Sequence, residues 1–266
     1  MPEGPSIVLL KEELQSFIGK RVTTATGSSQ KVDFKKIRGN KIVDIKSWGK
    51  HLLICFPDFT LKIHLLMFGT YRINERKDAV PRLSLKFSKN SGLNFYSCAV
   101  STLLRPLDEI YDWSADVMNK KWNAKAALQK LKKHPDLLAC DALLNQEIFS
   151  GVGNIIKNEV LFRIKVHPES LLGQLPEPKR KELIKEAVAY SYQFLKWKRE
   201  FTLKKHWLAH TKKKCPRDHI PLQKEYLGKT NRQTFFCNIS EALPVRNSCY
   251  TGMRTSYVTM SEYTFF

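Results

Sequence analysis

LLNQEIFSGVGNIIKNEVLF, residues 143–162, decides how this chain is read. Leu143, Leu144, Ile148 and Phe149 lead up to Ser150 around a polar Asn-Gln-Glu, glycines stand at 151 and 153, and a mostly apolar run follows Asn154. Glycines so placed let the backbone turn sharply and approach a neighbour closely. The pattern predicts a helix, a tight double turn, and a second helix beginning near Ile155. The first N–H groups of a helix have no partner within it, so its start, beside Asn154, is a ready site for a phosphate. A plain helix–turn–helix packing unit fits the same pattern.

Toward the C-terminus, Pro176 and Pro178 precede a helix on which Ile184, Val188, Ser191 and Leu195 share a face. Toward the N-terminus, a short helix spans about Leu137 to Asn145, and Asn123 caps AKAALQKLKK, which Pro135 ends. The character changes before Trp113. KIVDIKSW and HLLICF meet at Gly49-Lys50, and LKIHLLMFGTYRI and RLSLKFS follow, with turn residues between them. A helix from about Ile7 to Ile18 comes first. The chain is therefore read as α+β: an N-terminal antiparallel β-sandwich with a leading helix, then a helical domain and a small hairpin. The expected divisions are 1–115, 116–212, 213–240 and an unassigned tail, 241–266.

The chain has 266 residues, of which 42% are hydrophobic, enough for a sizeable core in one or two domains. No apolar run is long enough for a membrane span, and the N-terminus lacks the pattern of a signal peptide. An intracellular protein is expected, in cytoplasm or nucleoid if bacterial, with no membrane partner and a monomeric state. The net charge is +20, and residues 196–232 hold twelve Lys/Arg against three Asp/Glu. That surplus favours a polyanion, and the absence of a basic amphipathic helix favours nucleic acid over membrane.

Four places could carry chemistry. In MPEGP, removal of Met1 would leave Pro2 with a free secondary amine, and an α-amino group has a pKa near ~8. Such an amine can attack an electrophilic carbon and form a Schiff base, with Glu3 beside it for proton transfer. Lys50 stands at a hairpin tip, as a surface lysine or as an active-site or phosphate contact. Asn154 begins the helix described above. Cys215 and His219 are spaced C-x3-H, and Cys237 follows after seventeen residues. These three suggest a structural zinc site. The position expected for a fourth ligand holds Ser240, a poor zinc ligand, and Cys249 would serve only if the chain looped back. Cys55, Cys98 and Cys140 read as core residues.

Taken in order, these stretches resemble one family, the formamidopyrimidine-DNA glycosylase and endonuclease VIII enzymes of base-excision repair. MPEGP resembles the family's catalytic N-terminus, GKHLLICF its hairpin-lysine motif, residues 143–162 its helix–two-turns–helix motif, and KTNRQTFFC the distal strand of its zinc-finger hairpin. The resemblance covers about residues 1–239. It implies a bifunctional DNA glycosylase and abasic-site lyase acting on damaged DNA, with no catalytic cofactor and structural Zn2+ held by Cys215, His219 and Cys237. It implies Pro2 as nucleophile at C1′, Glu3 as general acid/base, and Lys50 as a phosphate contact that supports catalysis. It places Asn154 and Arg232 on the DNA backbone, and Met67 in the gap left by the extruded base. Gly4 and NFYSCAV resemble the endonuclease VIII branch, which implies oxidised pyrimidines rather than 8-oxoguanine. Ser6 departs from the family, where many members carry glutamate, and Ser240 departs from the finger. The alternatives are an 8-oxoguanine- or formamidopyrimidine-directed enzyme, a catalytically silent binder of damaged DNA on the same fold, and a basic RNA- or ribosome-associated protein.

Overall fold

The computed structural model describes residues 2–239. Ser240, Cys249 and the 241–266 tail lie outside the described residues, so nothing below bears on the expected fourth zinc position. Helix α1 spans Gly4–Glu13, and strands β1 to β8 follow: Thr24–Thr26, Asp44–Trp48, His51–Cys55, Thr60–His64, Thr70–Ile73, Leu83–Ser88, Ser91–Tyr96 and Ala99–Leu103. A short helix α2, Phe34–Ile37, lies between β1 and β2, and a short α3, Leu107–Ile110, follows β8. Helices α4 (Ala124–Lys132), α5 (Ala139–Leu144), α6 (Asn154–Arg163) and α7 (Glu177–Arg199) come next. Strands β9 (Gln223–Leu227) and β10 (Arg232–Phe236) end the described fold.

Two four-stranded antiparallel sheets, ordered β1-β6-β7-β5 and β2-β3-β4-β8, form the sandwich. Leu52, Ile54, Leu61 and Ile63 of one sheet share a core with Leu83, Leu85, Leu93 and Phe95 of the other. Alternation along each strand turns these residues inward. Ile7, Leu10 and Leu14 of α1 join that core. A second core unites α4 to α7 through Leu131, Leu143, Ile156, Val160, Leu183, Tyr190 and Phe194. Beneath the β9–β10 hairpin, Phe162, Cys215, Leu222, Phe235 and Cys237 form a third, small cluster. Among the described residues no helix is long and apolar enough to cross a membrane.

Two local expectations are corrected. Helix α1 starts at Gly4, not Ile7, because Pro5 falls in the first turn, where no amide donor is needed. A 3-10 turn at Gln15–Phe17 continues it. The apolar run LKIHLLMFGTYRI is not one strand. Leu66 takes a left-handed φ of 53° and Gly69 N donates to Leu65 O at 2.7 Å, so the chain turns between β4 and β5. That turn lifts Met67 out of the sheet, where it is 49% exposed.

Candidate active site

Three segments converge at the junction of sandwich and helices: the N-terminus, the β2–β3 hairpin and the 150–154 turn. Gly4 N donates to Gly151 O at 2.8 Å. Gly49 N, in the hairpin, donates to Asp116 Oδ2 at 3.1 Å. Gly49 has φ +50°, and a Cβ there would overlap Ser150 Oγ and lie 2.9 Å from Gly151 N. Glycine is therefore required both by conformation and by contact. At Gly153 the requirement is contact alone: a Cβ would overlap Glu3 Cδ and lie 2.6 Å from Glu3 Oε1.

Glu3 is fully buried. Its Oε1 accepts from Ile155 N at 2.7 Å, and its Oε2 accepts from Gly153 N and Ile156 N at 3.2 Å each. The carboxylate thus sits at the positive end of α6, where the helix dipole favours an anion. This corrects the expectation of a phosphate at that helix start, since Glu3 takes those donors. Burial pushes the Glu3 carboxyl above its ordinary range, while Lys50 and the backbone donors pull the other way. A carboxyl held ready to bind a proton suits acid–base work. Lys50 is half-buried. Desolvation lowers its pKa, Glu3 opposes that shift, and Arg232 adds to it.

Pro2, Lys50, Met67, Asn154 and Arg232 all line one cleft of about 660 Å³, together with His64 and Gln146. Across it, Arg232 Nη1 lies 3.6 Å from Met67 Sδ. Asn154 holds the strand that carries Arg232: its Nδ2 donates to Gln233 O at 2.8 Å. Asn154 Oδ1 is buried with no hydrogen-bond partner among the described residues.

Sequence reasoning passed over several residues that assemble this site. Lys157 is fully buried, and its Nζ donates to Thr234 Oγ1 at 2.6 Å. Desolvation lowers its pKa to about 8. Glu159 accepts the backbone N–H groups of Leu208, Ala209 and His210 at 2.8–3.1 Å. Asp116 fixes the hairpin, as described. A signal for the first two was present, because KNE interrupts an apolar helix and only a helix enclosed on all sides buries such residues.

The structure separates the expected zinc ligands. Cys215, Asp218 and Cys237 form a group whose ligand atoms all lie within 4.8 Å of one another. Cys215 Sγ and Cys237 Sγ lie 3.3 and 3.0 Å from Asp218 Oδ2. His219 is outside that group. It has a left-handed φ of 56° and an exposed side chain. The turn that closes Cys215 N on Ile220 O, at 2.8 Å, brings Asp218 inward instead. Two sulfurs and a carboxylate oxygen fit three corners of a tetrahedral zinc site.

Residues 1–98 match the formamidopyrimidine-DNA glycosylase N-terminal domain, and residues 114–196 match the formamidopyrimidine-DNA glycosylase H2TH domain. Endonuclease 8-like 2 of Bos taurus is 33% identical, with 89% of this chain and 94% of that protein covered. Endonuclease 8-like 3 of Mus musculus is 29% identical over 73% of this chain, which spans only 33% of that relative. Lactococcus lactis formamidopyrimidine DNA glycosylase, solved non-covalently bound to DNA containing an AP site, shares the fold. Its TM-score is 0.79 at 23% identity, with 90% of this chain and 99% of that one covered. The chain therefore belongs to the formamidopyrimidine-DNA glycosylase and endonuclease VIII family of base-excision repair glycosylases, on its endonuclease 8-like branch.

Proposed function

We propose that this protein excises oxidised pyrimidines from DNA through a Schiff base at Pro2 and then cleaves the strand. The observation that carries the reading is the placement of Pro2, Lys50, Asn154 and Arg232 around one cleft, with Glu3 buried next to Pro2 at the α6 terminus. A base inside a duplex is out of reach, so the nucleotide must be extruded at a cost of a few kcal/mol. Met67, exposed and adaptable on its turn, fills the gap. Once Met1 is removed, the Pro2 nitrogen attacks C1′ with its lone pair. The glycosidic bond breaks, and the base leaves with a proton. Glu3 moves protons during ring opening and formation of the iminium. β-Elimination then expels the 3′ phosphate and δ-elimination the 5′ phosphate. Lys50, Asn154 and Arg232 hold the strand.

Cys215, Cys237 and Asp218 would hold a structural zinc, which would supply rigidity to the hairpin that carries Arg232. Ser240→Cys is expected to raise the zinc content measured by elemental analysis and to tighten DNA binding. The protein acts inside the cell, where its DNA substrate lies.

The test is borohydride trapping on DNA carrying an oxidised pyrimidine, 8-oxoguanine or an abasic site. A covalent adduct is expected with the pyrimidine lesion and the abasic site. It should be weakened in Pro2→Gly and lost when Met1 is retained. No adduct with any substrate overturns the reading, and a stronger adduct with 8-oxoguanine overturns the pyrimidine assignment.

A further inference from the structure

Helix α7 ends in a turn that favours glycine and instead carries phenylalanine. Phe201 N donates to Lys198 O at 3.2 Å, and Thr202 N donates to Trp197 O at 2.9 Å. This pair of bonds is the Schellman arrangement, which puts one residue in the left-handed region, usually Gly. Here that residue is Phe201, with φ 56°. A bulky side chain at such a φ is strained. Packing does not compensate for it, because Phe201 is 96% exposed. Glycine would make the fold more stable, so the ring's contribution lies outside the folding of this chain.

The surroundings identify the partner. A ring stack braces the turn: Trp197 and His206 lie with centroids 4.2 Å apart and planes 8° from parallel. Arg199 is engaged by Glu12 at 2.6 Å. Lys196, Lys198, Lys204 and Lys205 have no ion-pair partner among the described residues. Lys198 also lines a groove shared with Pro2 and Ser6, so the segment borders the candidate active site. An exposed, pre-positioned ring among unpaired cations is what a nucleobase with its phosphates recognises. A base held in a duplex has both faces covered by its neighbours, whereas an unpaired base has a face to give.

We propose that Phe201 is a stacking platform for an unpaired base of the DNA strand passing the cleft, with Lys196, Lys198, Lys204 and Lys205 neutralising the adjacent phosphates. The proposal rests on the DNA-processing reading above. Its test uses the full chain and two DNAs that carry the same non-cleavable abasic analogue, one fully paired and one with the flanking bases unpaired. Binding is measured by fluorescence anisotropy and folding by thermal unfolding.

Phe201→Gly is expected to weaken binding to the unpaired DNA about tenfold. It should leave paired binding within about twofold and raise the melting temperature. Phe201→Trp should restore the unpaired binding. Lys204→Ala with Lys205→Ala should reduce the salt slope for the unpaired DNA by about one to two. The opposite signs for Phe201→Gly separate a lost contact from a damaged fold. If Phe201→Gly binds both DNAs as the parent protein does, or loses both equally, the stacking platform is overturned while the DNA-processing reading stands. If the parent protein binds neither DNA, both fall.

Discussion

Replacing Gly153 by alanine isolates the most specific contact in the molecule. Gly153 has φ −124° and ψ −164°, an extended conformation open to any residue, so the substitution meets no backbone strain. What it meets is Glu3: the new methyl would overlap the carboxyl carbon and lie 2.6 Å from Oε1. Glu3 must leave its seat, and three N–H···O bonds of 2.7–3.2 Å are broken. Hydrogen bonds to a charged group are worth ~1.5–3 kcal/mol each. Water entering the vacated seat recovers part of that. Alanine also returns ~0.5–1 kcal/mol by restricting the unfolded chain. The net expectation is a loss of about 2–3 kcal/mol, seen as a fall in melting temperature of ~5–10 °C for a protein of this size. Strand cleavage at an abasic site should fall at least ~100-fold, the usual contribution of a positioned acid–base group. The control is Glu3→Ala. With the seat empty, adding Gly153→Ala should no longer destabilise and should return only the ~0.5–1 kcal/mol of the restricted unfolded chain. An equal loss in the presence and absence of the Glu3 side chain would refute the reasoning.

Three further outcomes follow from neighbouring residues. Burial holds Lys157 at about 8 against an ordinary 10.5, so its stabilising share is complete above 10.5 and is lost as pH falls to about 8. Lys157→Met, measured by denaturant unfolding, should therefore gain up to ~3 kcal/mol relative to the parent protein between pH 10.5 and pH 7.5, and a pH-independent difference would contradict it. Asn154→Ala removes one 2.8 Å bond while Lys157 and Asn158 still hold β10. It should cost only ~1 kcal/mol in stability but weaken DNA binding measurably, and unchanged affinity would count against the role given to Asn154. Asp116→Ala leaves the buried Gly49 N without its acceptor, at a cost of ~1–3 kcal/mol. It should also lower trapping through the loosened Lys50 hairpin, and full activity would show that Asp116 does not position it.

Much of the site was legible because it is written in short, ordered segments. Pro2, Glu3, Lys50 and Asn154 each sit in a stretch whose local pattern names a turn, a hairpin tip or a helix start. Arg232 and Met67 were legible only through the resemblance to the family, and both line the cleft. Less legible were residues whose significance depends on what faces them. Asp116 reads as an ordinary loop residue until Gly49 is brought to it from 67 positions away. His219 was read as a ligand because C-x3-H is a ligand spacing, yet the turn after Cys215 brings Asp218 to the sulfurs instead. The LKIHLLMFGTYRI run looked continuous because its apolar residues are, and hydropathy carries no sign of the left-handed Leu66 that breaks it.

By itself, the sequence determined the fold class, the order of its parts and the family to which they belong. Periodicity, turn residues and capping residues act over a few positions and survive in one dimension. Only the tertiary structure decided what the α6 terminus holds. From the sequence, that helix start was open to a phosphate. In the folded protein a carboxylate from 152 residues earlier reaches it first. Glycine at 153 permits that approach, and the low-dielectric surroundings raise the proton affinity of the carboxyl that arrives.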